Sequence, residues 1–288
     1  MEIVLALGSA LAYGVSDFTG GVLTKRVHVF TVILLSQLVS CAILILVLPF
    51  WDGSFSWQAV QWGVAAGVFG IAGAALLYRG LAIGRMSVVA PITAVLAAAI
   101  PLTFGLAVGE RPGSVALIGV VAGLVAVTLI SRSPEPDSAN GPAERRTPTR
   151  SWLGGPGVVE ALGAGVGFGL FFILLERAPE DSGLWPLAGT RVSFVACALL
   201  AAVAGALVRP PTGMVRSLVW LGFINLAADL LYLLATRAGL LSLVAVITSL
   251  YPAATVALAR VLLDERMVKE QLVGVACAAL SVTFIALR

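Results

Sequence analysis

The sequence predicts an all-α integral membrane protein of ten transmembrane helices, arranged as two inverted five-helix repeats. Three observations carry that prediction: an extreme composition, ten apolar runs of spanning length, and an internal match between the two halves. Of 288 residues, 59% are hydrophobic and 11% are charged, with a mean hydropathy of +1.03, whereas a soluble domain is about 25% charged. At about 20 apolar residues per bilayer crossing, some ten crossings use almost the whole chain. This excludes an aqueous enzyme domain, a nucleic-acid module and a disulfide scaffold. The net charge of +3 does not point to nucleic acid, because sparse basic residues in such a chain report topology.

The apolar runs, read against turn and charge punctuation, give the ten spans. The first half holds Ile3 to Leu23, Val29 to Phe50, Ala59 to Ile83, Met86 to Val108 and Ser114 to Ser131. The second holds Gly157 to Glu176, Leu184 to Leu207, Val215 to Thr236, Leu240 to Leu263 and Leu272 to Leu287. Between them, Arg132 to Ser151 carries Pro134, Pro136, Pro142, Pro148 and seven charged residues, a composition that cannot form a packed core and reads as a flexible linker. The chain therefore divides into residues 1–131, the linker 132–151, and residues 152–288. Ala10-Leu11-Ala12 looks like a signal-peptide cleavage site, but Met1-Glu2 lacks a basic leader and the run continues to Leu23, so a first span is expected. Cys41, Cys197 and Cys277 lie within apolar runs and read as small core residues. One histidine, His28, leaves no set for a metal cluster.

Sliding the chain on itself by 155 residues sets Ser87-Val-Val-Ala-Pro-Ile-Thr93 on Ser242-Leu-Val-Ala-Val-Ile-Thr248. In the same register Glu110-Arg111 falls on Glu265-Arg266 and Tyr13-Gly14 on Phe168-Gly169; with a one-residue slip, Tyr78 meets Tyr232 and Gln37 meets Arg191. Aliphatic matches follow from composition, but an aligned Glu-Arg pair at the same helix end does not. Because five is odd, the second copy enters the membrane upside down, the inverted-repeat plan of many secondary transporters.

The chain resembles ten-helix members of the drug/metabolite transporter superfamily that carry two EamA repeats. The resemblance rests on Tyr13-Gly14, Asp17-Phe18, Tyr78-Arg79-Gly80-Leu81-Ala82, Val89-Ala90-Pro91 and Gly109-Glu110-Arg111 in the first half. In the second it rests on Gly167-Phe168-Gly169, Trp185-Pro186, Arg191, Ser249-Leu250-Tyr251-Pro252 and Asp264-Glu265-Arg266. It implies a carrier of small organic metabolites, often an exporter, with spans five and ten peripheral and both termini cytoplasmic. The basic residues give the opposite orientation. Lys25, Arg26, Arg85, Arg132, Arg145, Arg146, Arg150, Arg209, Arg216, Arg266 and Lys269 fall on the linker side, and only Arg111, Arg177, Arg237 and Arg288 on the other. By the positive-inside rule the linker is cytoplasmic.

Charge inside a span is costly and marks a site. Asp17, Arg191 and Asp229 are the charged residues away from span ends, and Asp17 lies roughly 21 Å along its helix at the α-helical rise. Tyr13, Gly14 and Asp17 share one face, and Asn225, Asp229 and Tyr232 form a similar stripe on span eight. The expected substrate-binding set is Tyr13, Asp17, Gln37, Arg79, Phe168, Arg191, Asn225, Asp229, Tyr232, Thr248 and Tyr251, with Asp17 and Asp229 as proton-coupling candidates. The alternative is that both aspartates are simply neutralised by Arg191 or Arg79, or lie near a water interface. Pro91 and Pro101 in span four and Pro252 in its repeat mate each remove a backbone hydrogen bond, making Pro91 and Pro252 the expected hinges. Among Phe168, Phe171 and Phe172, at least two are expected to face lipid or pack. Glu110-Arg111 is expected to form a terminal salt bridge or an interface anchor. Pairs such as Gly63 and Gly67, Gly119 and Gly123, or Gly165 and Gly169 form small-residue faces for close helix packing.

The leading expectation is a carrier in the cell membrane, working by alternating access as spans one to four rock against six to nine. A membrane-embedded enzyme is the second reading, opposed by the absence of H-E-x-x-H, G-x-S-x-G or a spare histidine. A non-transporting scaffold is the third. No phosphate-binding G-x-x-x-x-G-K-[ST] loop is present, so ATP-driven pumping by this chain is excluded. No cofactor or metal is expected. The expected partners are a small-molecule metabolite and the lipid bilayer, with no nucleic acid, and the chain as monomer or homodimer.

Overall fold

The computed structural model describes residues 1–24, 27, 29–83, 86–130, 157–203, 212–263 and 269–287. Among them there is no strand. The helices are α1 (Glu2–Thr24), α2 (Val29–Val47), α3 (Trp57–Ile83), α4 (Met86–Ala107), α5 (Ser114–Ile130), α6 (Val158–Glu176), α7 (Trp185–Val203), α8 (Val215–Ala238), α9 (Leu241–Thr248), α10 (Tyr251–Leu263) and α11 (Lys269–Ala286). Among the described residues, six helical segments are long and apolar enough to cross a membrane. The linker at 132–151 lies outside the described residues, as do Lys25, Arg26, His28, Arg85, Asp264, Glu265 and Arg266.

These helices sort their residues by size. On α1 the buried positions are Ala6, Ser9, Ala10, Ala12, Gly14, Ser16, Gly20 and Leu23, nearly all small, while Val4, Leu7, Leu11 and Val22 are exposed. Lipid solvates a large aliphatic side chain as well as a protein core does, so association comes from close backbone approach over small residues. The α3–α7 crossing shows the consequence. A Cβ added to Gly63 would overlap the carbonyl of Pro186, and one at Gly67 would lie 2.8 Å from the carbonyl oxygen of Thr190.

Span nine of the sequence is two helices. Ser249 and Leu250 turn back onto α9 through Ser249 N–H to Ala245 O at 2.9 Å and Leu250 N–H to Ile247 O at 3.1 Å. Pro252 then stands in the first turn of α10, where its missing N–H needs no partner. Pro91 and Pro101 behave differently. They lie inside α4, which runs unbroken from Met86 to Ala107, because a proline within a long, supported helix forfeits one bond without ending it. The expected break therefore occurs in one repeat mate only; the Pro91 side chain is outside the described set.

The most extensive contacts join opposite halves of the chain: α3 with α6 and α7, α4 with α6 and α9, α1 with α8, α9 and α10, α2 with α7 and α8, and α5 with α11. Each has a counterpart, since α3 on α6 mirrors α1 on α8 and α3 on α7 mirrors α2 on α8. The expectation that spans one to four form one body and six to nine the other is corrected by this packing. Two interleaved groups result. One contains α3, α4, α6 and α7, the other α1, α2, α8 and α10, with α9 packed on both α4 and α1.

Candidate functional site

A cavity of about 130 Å³ lies between the two helix groups, smaller than the about 300–1,000 Å³ usual for drug-sized ligands. Its two walls differ. From α3, α4, α6 and α7 come Gly70, Ala74, Leu77, Ala97, Phe168, Phe171, Phe172 and Phe194, every one apolar. From α1, α2, α8 and α10 come Tyr13, Ser16, Asp17, Ser36, Gln37, Asn225, Asp229 and Tyr251, together with Val32, Ile33 and Leu221. Every polar lining side chain belongs to the second group.

The helical spacing on α1 aims Tyr13, Ser16 and Asp17 at the cavity, one turn apart. Tyr13 donates its hydroxyl proton to Asp229 Oδ1 at 2.7 Å, and Ser16 donates to Asn225 Oδ1 at 2.8 Å, which ties α1 to α8. Arg191 enters from α7 and crosses to the other group. Its Nη2 donates to Asp229 Oδ2 at 2.5 Å and its Nη1 donates to Gln37 Oε1. Arg191 and Asp229 expose only 2% and 10% of their side chains, and the guanidinium carbon lies 5.7 Å from the Phe194 ring centre. Both oxygens of Asp229 are therefore occupied and its charge is met. Asp17 is in the opposite condition. It lines the cavity, yet makes no hydrogen bond or ion pair with any side chain among the described residues.

The aromatic wall is held by its own packing. Phe172 sits 4.4 Å, centroid to centroid, from Tyr232 and 5.6 Å from Phe171. Gly70 and Gly73 leave room for the rings opposite them, since an added Cβ would come to 3.0 Å from Phe171 and 3.1 Å from Phe168. Phe168, Phe171 and Phe172 all line the cavity, and Phe171 and Phe172 are at the same time buried in the core, the packing role expected of at least two of the three.

Tyr13, Asp17, Gln37, Phe168, Asn225, Asp229 and Tyr251 of the expected set come together at the lining, with Arg191 behind it. Three do not. Arg79 is largely exposed and pairs with Glu160 at 3.4 Å. Tyr232 is fully buried and donates to the carbonyl of Phe172 at 3.2 Å. Thr248 is fully buried at the end of α9, and neither its hydroxyl nor that of Ser249 has a hydrogen-bond partner among the described residues. Sequence reasoning missed Ser16, Ser36 and Phe194. Ser16 was findable, three residues after Tyr13 on the same face.

One end of the bundle is closed by bonds between the two halves. Glu110, in the connection after α4, accepts Leu241 N–H at 2.7 Å on Oε1 and Ser242 N–H at 2.9 Å on Oε2. It thereby caps α9, whose own N-cap residue, Leu240, offers no side-chain acceptor. Ser54 N–H donates to Asp181 O at 2.9 Å at the same end. There Gly53 and Gly183 meet with φ of +153° and +53°, conformations that favour glycine. The role of Glu110 is thus a cap across the halves, where a salt bridge or interface anchor was expected; Arg111 turns instead to the carbonyls of Leu106 and Glu110.

Residues 1–132 and 155–287 each match the EamA-like transporter family. A solved structure described only as "Crystal structure of protein" is similar over 99% of this chain and 96% of its own, with a TM-score of 0.74 at 15% identity, a likeness of fold. No curated protein matches the chain.

Proposed function

Because the chain belongs to the EamA-like transporter family, and so is a multi-pass membrane transporter, we propose that it is a secondary or facilitative carrier that exports a small organic metabolite across the cell membrane. The observation that carries this reading is a carboxylate, Asp17, without a partner among the described residues, in a cavity between two helix groups. Leaving a negative charge unmet in a low-dielectric span is expensive. A solute cation or a proton that joins Asp17 removes that cost, which makes this residue the substrate or coupling site. Asp229, already neutralised by Arg191, is a positioning residue.

The halves are inverted copies in this reading, supported by contacts that survive exchanging each helix for its counterpart five spans on. Alternating access is then a rocking of the α3–α4–α6–α7 group against the α1–α2–α8–α10 group. The bonds of Glu110 to α9 and of Ser54 to Asp181 close one end and must break when that end opens. Arg191, reaching from one group to Gln37 and Asp229 of the other, is the pin between them.

The test has two stages. Detergent-solubilised protein is melted across a library of small organic metabolites, since a ligand that binds the native state raises its stability. Stabilising compounds are then assayed for saturable flux in proteoliposomes. A compound that binds and crosses supports the carrier, whereas binding without flux for every hit overturns it. In the same vesicles, Asp17→Asn is expected to abolish flux or its pH dependence, and unchanged flux at every pH removes Asp17 from the mechanism.

A further inference from the structure

The cavity is divided by chemistry, and the division specifies what fits. We propose that the transported solute is an amphipathic organic amine, a cation carrying a flat apolar body and no carboxylate. This rests on the carrier reading and narrows it.

The argument begins with charge. Asp17, Arg191 and Asp229 are the acidic and basic side chains in or directly behind the described lining. The Arg191–Asp229 pair cancels: Nη2 and Nη1 of the guanidinium are on Asp229 and Gln37, and its remaining donor, Nε, is buried behind the lining, out of a solute's reach. What remains is the single carboxyl group of Asp17, whose negative charge a solute cation would meet. An anionic solute would meet an uncompensated carboxylate and no available cation among the described residues. A zwitterionic amino acid could place its ammonium on Asp17, but its carboxylate would have only neutral donors, because Arg191 is already engaged. A simple amine leaves nothing unmet.

The apolar half of the solute follows from the opposite wall. Phe168, Phe171, Phe172 and Phe194 face the polar helices without a polar lining residue among them. Phe172 is fixed edge-on to Phe171 and against Tyr232, so the wall is a rigid apolar surface. Aromatic faces also attract a cation held over them, reinforcing the preference set by Asp17. A small, fully polar cation would waste this surface, and a neutral hydrocarbon would leave Asp17 unmet. On the polar side, the Tyr251 hydroxyl has no hydrogen-bond partner among the described residues and stands ready to accept an ammonium hydrogen.

Four probes with one phenyl body separate the alternatives: phenethylamine, phenylacetate, 2-phenylethanol and phenylalanine. Binding is read by the thermal shift and intrinsic tryptophan fluorescence of purified protein in detergent. Phenethylamine is expected to bind tightest. Asp17→Asn is expected to weaken it by about tenfold or more, the scale of one charge-assisted hydrogen bond, while leaving 2-phenylethanol unchanged. Phe168→Leu, a milder change at a partly exposed ring, is expected to weaken phenethylamine and 2-phenylethanol alike and provides a readout if Asp17→Asn does not fold. Tighter binding of phenylacetate or phenylalanine overturns the proposal, as does amine binding indifferent to Asp17→Asn. Because these measurements need no flux, the two readings fail separately. Amine binding without transport sinks the carrier, and transport of an anion sinks only the solute class.

Discussion

Asp17 on α1 and Asp229 on α8 face the same cavity from neighbouring helices, and the two carboxylates live under opposite conditions. Asp229 has a donor on each oxygen, Tyr13 at 2.7 Å and Arg191 at 2.5 Å. Asp17 has no such partner among the described residues. The same side chain is therefore part of the scaffold in one place and available to a ligand in the other. Rarity of intramembrane charge marks both residues equally; only the neighbours distinguish them. Glu110 is a third case, held by two backbone N–H groups of α9 in place of a cation.

This ranking can be broken by mutation, and the largest effect belongs to the clamp. Asp229→Ala leaves Arg191 buried and uncompensated, a change that costs about 3–5 kcal/mol. Arg191→Met does the same to Asp229. The double variant Asp229→Leu/Arg191→Met, which removes both charges, is expected to recover most of the loss, since well-packed apolar replacements of a buried pair are near neutral. Denaturant or thermal unfolding in detergent checks this, and a double variant as damaged as the sum of the singles would show that the two residues are not coupled.

Glu110→Ala comes next. It strips the cap from α9 and removes a bond between the halves, at about 0.5–2 kcal/mol for a lost N-cap. Glu110→Gln, which keeps an acceptor, is expected to fall between Ala and wild type. Because the cap closes one end of the bundle, the same variants are expected to speed labelling of a cysteine placed at Thr236 near that end. Loss of stability without faster labelling would make Glu110 a cap and nothing more.

The helices were legible because each run of about 20 apolar residues ends in charge, glycine or proline, and the repeat because Glu110 and Tyr13 align with counterparts. What the sequence withheld was long-range. Arg191 finds Gln37 from 154 residues away, and Glu110 finds Leu241 from 131 away; no helical period records such meetings. Proline showed the limit of local rules. Pro252 and Pro101 carry the same missing donor, yet one opens a helix and the other rides within one, because neighbouring helices decide whether the freed carbonyl is supported. Phe171 and Phe172 of α6 escaped for a related reason. A ring facing lipid and a ring facing a cavity have the same apolar surroundings at the level of sequence.

The smallest effect on stability belongs to Asp17, and it is the most informative. Asp17→Asn removes no hydrogen bond or ion pair made by the described residues and takes a charge out of an apolar cavity, so the folded protein is expected to melt at the wild-type temperature or above it. Natural sites that retain an unfavourable group do so where activity needs it, the usual exchange between stability and function. Asp229→Asn offers the matched control, since it alters the same atoms in a residue whose oxygens are both engaged. If Asp17→Asn instead melts as low as Asp229→Asn, Asp17 holds a structural bond and the contrast between the two carboxylates collapses. A stable Asp17→Asn protein without flux fixes the difference as functional, because a loss of activity at unchanged stability cannot be charged to misfolding.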